Sequence, residues 1–139
     1  KELPFNIQDQ TIFYVGPTPS KPGQVFGSGG PTTSGRMDAY SPRLIKLGLH
    51  AMIGKGYRSD AVKKAIVDYH GVYFGAIGGA GAMMSSCIEE CEVIAFDDLG
   101  PEAIRKLKVK NMPLVVVIDH LGNDLYEIGR KNYLKKDCK

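Results

Sequence analysis

The chain has 139 residues, of which 43% are hydrophobic and 24% are charged, and its formal net charge is +3. This composition argues against a disordered chain, and so small a charge is far from what the clustered basic face of a nucleic-acid-binding protein would give. No apolar run approaches the roughly 18 residues of a membrane-spanning helix, so we expect one domain over residues 1–139 with neither a nucleic-acid nor a membrane partner.

Short strands and short helices alternate along the predicted chain. The predicted elements are a strand at 11–15, a helix at 42–48, a strand at 50–53, a helix at 60–70, a strand at 72–77, a turn and helix at 78–90, a strand at 92–96, a helix at 100–107, and strands at 113–119 and 124–129. Ser41 and Ser59 are the predicted N-caps of the first two helices. The apolar, β-branched run at 113–119 is typical of a buried strand. This order predicts an α/β layered domain with a mixed, partly parallel sheet and short flanking helices. Residues 129–139 are predicted to be a frayed tail.

The three cysteines, Cys87, Cys91 and Cys138, are an odd number, which argues against a disulfide framework and fits a reducing cytoplasm. Cys87 and Cys91 are four residues apart, so a helix would place them on one face. A structural zinc site or a cluster needs three or four ligands, and only Cys138 and three scattered histidines could complete the set. We therefore expect cysteines that pack a helix against the sheet, and no metal site.

Two glycine-rich stretches are candidates for binding phosphate groups. Residues 27–38 read GSGGPTTSGRMD, and bare backbone amides bind anions, but the Gly-Lys-Ser/Thr of a Walker A motif is missing. Residues 75–84 read GAIGGAGAMM, where the bulky Met84 takes the position of the third small residue of a dinucleotide fingerprint. Close packing of a helix therefore explains the second stretch better than nucleotide binding does.

Thr32, Thr33, Arg36 and Lys55 remain as candidates for a carboxylate site. Arg36 has a planar guanidinium group that suits a carboxylate. Lys55 stands between two glycines at the predicted carboxyl end of a strand, where open α/β sheets bind ligands. A glycine loop with two solvated cations is an equally good interpretation from spacing alone.

Three segments, in order, resemble the β region of class I, iron–sulfur-dependent fumarate hydratase. They are GPTTSGRMD at 30–38, GKGYRS at 54–59 and LGPEAI at 99–104. The resemblance covers about residues 3–126. Beta subunits of L-tartrate dehydratase share much of the same pattern, so the resemblance does not separate the two substrates.

The resemblance implies a swivelling β/β/α domain and the reversible hydration of fumarate to (S)-malate, a reaction of the tricarboxylic acid cycle. It implies that Thr32 is the catalytic base and that Arg36, Lys55, Thr33 and Gly30 bind the substrate. The [4Fe-4S] cluster would be held by three cysteines of an alpha subunit and by no residue of this chain. Whether the complex of the two subunits forms a homodimer stays open.

Family members also carry an upstream R-D-x-A-H segment, whereas this sequence begins at Lys1. We therefore expect that N-terminal sequence is missing. Because the resemblance assigns the cluster to the alpha subunit, we also expect the chain to be inactive without that subunit. The alternatives are a beta subunit of L-tartrate dehydratase, which substrate kinetics would separate, and a small-anion binding module. Co-purification with an alpha subunit would argue against the binding module.

Overall fold

Residues 2–134 are described by a computed structural model. The elements are β1 (Thr11–Phe13), a 3₁₀ helix (Ser34–Met37), α1 (Ser41–Lys46), β2 (Ala51–Gly54), α2 (Asp60–Asp68), β3 (Val72–Gly75), α3 (Gly81–Ser86), β4 (Ile88–Ala95), a second 3₁₀ helix (Asp97–Glu102), β5 (Ile104–Val109), β6 (Val115–Ile118) and α4 (Leu125–Tyr133). None of the helices in this range is long and apolar enough to cross a membrane.

Four of the strands form the central sheet, in the order β1-β2-β3-β6. The pairs β1–β2 and β2–β3 are parallel, and β6 runs antiparallel to β3. Strands β4 and β5 form a separate antiparallel pair. The predicted fold class, an α/β domain with a mixed, partly parallel sheet and short helices, is confirmed.

Both faces of the central sheet contribute to an apolar cluster. Successive side chains of a strand point to opposite sides, so neighbouring residues of one strand join different clusters. Met52 joins a large cluster that includes buried residues of α1 and α2 and the partly buried Tyr126 of α4. Its neighbour Ile53 joins a smaller cluster with Met84 of α3. The sheet therefore has helices α1, α2 and α4 on one face and α3 on the other.

Helices α2 and α4 are tied together by an ion-pair cluster. Ser59 caps α2 by accepting a hydrogen bond from the amide of Val62, as the sequence predicts. On the next turn, Lys63 Nζ lies 2.8 Å from the buried carboxylate of Asp124, the N-cap of α4, and also pairs with Glu127. These two carboxylates raise the pKa of Lys63 well above its ordinary value, so the lysine remains charged.

Two elements differ in type from the prediction. Residues 104–109 form strand β5, where a helix was predicted over 100–107, because they pair along their length with β4. Residues 125–133 form helix α4, where a strand was predicted over 124–129, because the Asp124 side chain accepts a hydrogen bond from the amide of Tyr126 and starts a helix. Residues 129–133 of the predicted frayed tail are therefore helical, and residues 135–139 lie outside the described range.

Two finer predictions were wrong, and one was right in part. Ser41 is the first residue of α1, and Tyr40 is its N-cap. Cys87 is the C-cap of α3 and Cys91 lies in strand β4, so no helix of the described residues presents both cysteines on one face. The strand predicted within 113–119 is present as the edge strand β6, but only its second half, Val117 and Ile118, is buried, whereas Val115 and Val116 are about half exposed.

Candidate functional site

The segment 31–34 lies between the residues that follow β1 and those that follow β2, at the carboxyl ends of these two strands. Its first residue forms an antiparallel bridge with Val15, just after β1, and Thr33 forms a parallel bridge with Lys55, just after β2. The amide of Thr32 donates a hydrogen bond of 2.8 Å to the carbonyl oxygen of Tyr14. The glycine-rich stretch is therefore placed where ligands bind in open α/β sheets.

Backbone hydrogen bonds hold this segment beside Lys55. The Lys55 amide donates to the carbonyl oxygen of Thr32 at 3.3 Å, and the Ser34 amide donates to the carbonyl oxygen of Lys55 at 3.0 Å. Arg36 follows in the 3₁₀ helix Ser34–Met37. The fold thus brings the backbones of Thr32, Thr33 and Lys55 together, and Arg36 follows Thr32 by four residues along the chain.

The side chains of this region are open to solvent. Arg36, Lys55 and Thr33 are exposed, and Thr32 is half-buried. Within residues 2–134 neither Arg36 nor Lys55 is part of an ion pair. Two positive charges without acidic partners are therefore available to an anion. Two cavities, of about 330 Å³ between α1 and α2 and about 250 Å³ beside Phe26, are lined by other residues and by none of these four.

Close packing accounts for several of the glycines. A Cβ atom on Gly27 would lie 1.8 Å from the carbonyl oxygen of Thr18, which is far inside any real contact. One on Gly81, at the start of α3, would lie 3.1 Å from the amide nitrogen of Gly30. The Ser85 hydroxyl donates to the carbonyl oxygen of Gly27 at 2.6 Å, which fastens the glycine-rich stretch to α3. This packing agrees with the interpretation favoured over a nucleotide site, and the substrate-binding role of Gly30 stays a prediction.

Beneath the segment lies a buried charged residue that the sequence reasoning missed, Arg58. Its side chain is 0% exposed, and its Nε donates to the Asp38 carboxylate at 2.7 Å. One terminal nitrogen donates to Ser41 Oγ at 2.8 Å. The other carboxylate oxygen of Asp38 accepts from the Ser59 amide. Asp38 and Arg58 belong to GPTTSGRMD and GKGYRS, so these motifs contain a structural ion pair as well as the exposed cations.

Two tyrosines complete the buried network. The guanidinium carbon of Arg58 lies 4.9 Å from the ring centre of Tyr73 and 5.6 Å from that of Tyr14, which is cation–π distance. The Tyr73 hydroxyl is 3.0 Å from Ser34 Oγ and 3.0 Å from the carbonyl oxygen of Gly56. The only signal for this network in the sequence is the arginine of GKGYRS, because tyrosines at strand positions look like ordinary core residues.

Cysteine and carboxylate side chains of the described residues do not form a metal site. No group of three or more histidine, cysteine, aspartate or glutamate side chains within residues 2–134 is placed to hold a metal ion. Burial raises the pKa of Cys91, which disfavours the thiolate that a metal would need. Cys138 lies outside the described range.

The chain is similar to known proteins over most of its length. The family described as Fumarase C-terminus matches residues 1–129. The chain is 41% identical over 129 residues to the anaerobic class I fumarate hydratase of Escherichia coli, a match that covers 91% of this chain and 24% of that protein. It is 39% identical over 129 residues to the mitochondrial fumarate hydratase 1 of Leishmania major, with 91% and 24% covered.

A third relative is closer to this chain in length. A Methanocaldococcus jannaschii protein, provisionally named the beta subunit of L(+)-tartrate dehydratase, is 37% identical over 142 residues, a match that covers 97% of this chain and 73% of that protein. By contrast, the chain spans about a quarter of the length of the fumarate hydratases that it matches. The family match covers most of the chain and includes all three quoted motifs, and the chain therefore belongs to the Fumarase C-terminus family.

Proposed function

We propose that this chain is the beta part of an iron–sulfur hydro-lyase that reversibly hydrates fumarate to (S)-malate. One observation supports it most: at the carboxyl ends of two parallel strands Thr33 forms a bridge with Lys55, and the Lys55 amide donates to the carbonyl oxygen of Thr32. Arg36, which has no ion-pair partner within residues 2–134, lies in the 3₁₀ helix that follows. Fumarate and malate carry two carboxylates, which match two exposed cations in charge and number.

In this proposal Arg36 and Lys55 bind the substrate carboxylates and Thr32 moves the proton. In the direction from malate, the Thr32 oxygen takes a proton from the carbon beside the hydroxyl-bearing one, and the electron pair of that C–H bond forms the double bond of fumarate. The C–O bond of the neighbouring carbon breaks at the same time, and its hydroxide departs toward groups outside this chain. In the direction of hydration, the Thr32 hydroxyl returns the proton to carbon.

A threonine hydroxyl is a weak base in water, because an alcohol holds its proton at neutral pH. Positive charges nearby stabilise the alkoxide relative to the neutral hydroxyl, and so do fixed dipoles aimed at the developing charge. Arg36 and Lys55 supply two such charges. Neither has an acidic partner within residues 2–134 that would cancel its field.

The proposal places the [4Fe-4S] cluster on an alpha subunit, because the described residues of this chain include no ligand set for it. We therefore derive no step of the reaction through a cluster held by this chain. The fumarate hydratases that match are about four times as long as the match itself, which leaves ample sequence for a second region. The odd number of cysteines supports the cytoplasm as the proposed location.

L-Tartrate is the second candidate substrate. The relative named for tartrate dehydratase matches over 97% of this chain and 73% of its own length, so it is a comparably short chain named as a subunit. Tartrate is also a dicarboxylate, and the same two cations would bind it. The site residues that we propose do not separate the two substrates.

Substrate assays on the assembled enzyme test the proposed function. The chain is co-expressed with an alpha subunit of this family, the cluster is reconstituted anaerobically, and fumarate, malate and tartrate are assayed. We expect the complex to interconvert fumarate and malate and the chain alone to be inactive and colourless. A stoichiometric cluster on the isolated chain would contradict the assignment of the cluster to the partner. A reconstituted complex that acts on none of the three substrates would overturn the function.

Arg36→Lys is expected to raise KM for the dicarboxylate about tenfold and to change kcat less. A lysine keeps the charge but loses the planar fork that binds a carboxylate through two hydrogen bonds, in the ground state and the transition state alike. Steady-state kinetics of the complex measures this effect. The matched control is Arg43→Lys, another exposed arginine, which lies on α1. An equal effect of both substitutions would argue that Arg36 acts only through general charge.

A further inference from the structure

A single buried hydroxyl touches both segments of the candidate site. Tyr73 lies in β3 and is 0% exposed. Its hydroxyl is 3.0 Å from Ser34 Oγ on one side and 3.0 Å from the carbonyl oxygen of Gly56 on the other. Ser34 is two residues after Thr32, and Gly56 directly follows Lys55. The phenol therefore bridges the segment of the proposed base and the segment of one proposed carboxylate ligand.

The Tyr73 hydroxyl faces two acceptors. A carbonyl oxygen can only accept, and a serine hydroxyl oxygen can accept as well. Tyr73 has one proton, which it shares between Ser34 Oγ and the carbonyl oxygen of Gly56 in a three-centre hydrogen bond. Burial raises the pKa of Tyr73, so the phenol keeps that proton at neutral pH. The bridge thus needs no change of protonation during a reaction.

The ring of Tyr73 is held from below by the buried ion pair. Arg58 lies 4.9 Å from the ring centre, and its guanidinium group is fixed by hydrogen bonds to Asp38 and Ser41. The charge of Arg58 is balanced by Asp38 at 2.7 Å, so the pair acts on the site mainly through geometry. A rigid ring gives its hydroxyl one position relative to the two segments.

Close packing against β2 also restricts the position of Ser34. A Cβ atom on Gly54 would lie 1.8 Å from Ser34 Oγ, so the serine occupies the space that a side chain at position 54 would take. Ser34 is itself 0% exposed. Its hydroxyl therefore lies in a close-fitting place between β2 and the Tyr73 phenol.

We propose that Tyr73 is a positioning residue of the reaction: its hydroxyl locks the Thr32–Ser34 segment to the Lys55–Gly56 segment and so sets the Thr32 oxygen relative to the carboxylate bound by Lys55. This inference rests on the proposed function. Loss of the bridge leaves each side chain able to touch substrate, but it loosens their relative geometry, on which the proton transfer depends.

Tyr73→Phe in the assembled, cluster-loaded complex tests this inference, because it removes one oxygen and keeps the ring on Arg58. We expect kcat to fall about tenfold or more while KM changes less than about threefold, since the bridge matters most when base and carbon must align. We also expect the Ser34 and Lys55 amides, which join the two segments, to exchange hydrogen about tenfold faster or more.

Tyr14→Phe is the matched control. Tyr14 is also buried and near Arg58, but its hydroxyl contacts Ser41 and neither segment of the site. We expect this variant to keep kcat and both exchange rates within about twofold of the wild type. A similar fall of kcat in both variants, or an unchanged kcat in Tyr73→Phe, would overturn the positioning role. A wild-type complex that acts on neither fumarate nor tartrate would instead overturn the proposed function, and the exchange rates would still show whether Tyr73 joins the two segments.

Discussion

Thr32→Ala is expected to lower kcat of the assembled complex by about 10²-fold or more and to change KM little. A general base contributes roughly 10²–10⁴-fold, and it acts mainly in the transition state, so its loss appears in kcat. The substitution should leave the backbone of the segment in place, because Thr32 is held by backbone hydrogen bonds to Tyr14 and Lys55 that alanine can also form. Steady-state kinetics with malate, in the direction where carbon loses its proton, is the measurement.

The neighbouring Thr33 is the control for this prediction. It carries the same side chain on the same segment, is exposed, and pairs with Lys55 through its backbone. Thr33 is the next residue of the segment, so its hydroxyl occupies a different place from that of Thr32. Thr33→Ala should therefore keep most of kcat. A severe loss in Thr33→Ala with a loss below tenfold in Thr32→Ala would mean that the wrong hydroxyl had been assigned.

Asp38→Ala is expected to lower the free energy of unfolding by roughly 3–5 kcal/mol, which is the usual cost of removing one partner of a buried ion pair. The Arg58 side chain is fully buried and would lose its only carboxylate among residues 2–134. The variant also removes the acceptor of the Ser59 amide, which precedes α2. Urea denaturation followed by circular dichroism measures the change, with the midpoint compared at equal slope.

A surface pair provides the control for stability. Asp68 pairs with Lys64 one turn away on the exposed side of α2. Such a pair is screened by solvent and adds little, so Asp68→Ala should shift the denaturation midpoint far less than Asp38→Ala. Equal shifts would show that the Arg58–Asp38 pair behaves like a surface pair. The prediction would also be wrong if Asp38→Ala were as stable as the wild type.

The exposed residues of the candidate site were predictable because their signals are local. Thr32, Arg36 and Lys55 lie in stretches rich in glycine, which contain few other side chains that could bind a ligand. The position of Lys55 at the carboxyl end of β2 followed from where an apolar run stops. The roles of these three residues in substrate binding and proton transfer remain predictions that the kinetics above will decide.

The residues beneath the site were not predictable in this way. Tyr73 contacts a serine 39 residues away, and Arg58 contacts an aspartate 20 residues away. A tyrosine in a strand has the same local pattern whether its hydroxyl joins two active segments or simply reaches solvent. Only the packing of β3 beneath both segments shows which of the two it does.

The sequence by itself determined the family, the α/β class and the cap of α2, because each rests on short local patterns and on their order along the chain. Only the tertiary structure decided that residues 104–109 form a strand and residues 125–133 form a helix. Strand β5 exists because β4 supplies hydrogen-bond partners along its whole length, and a pairing partner outside the local window overrides local helix signals. Helix α4 begins at Asp124, whose carboxylate both caps the helix and meets Lys63 of α2, a contact between residues 61 positions apart that no local pattern encodes.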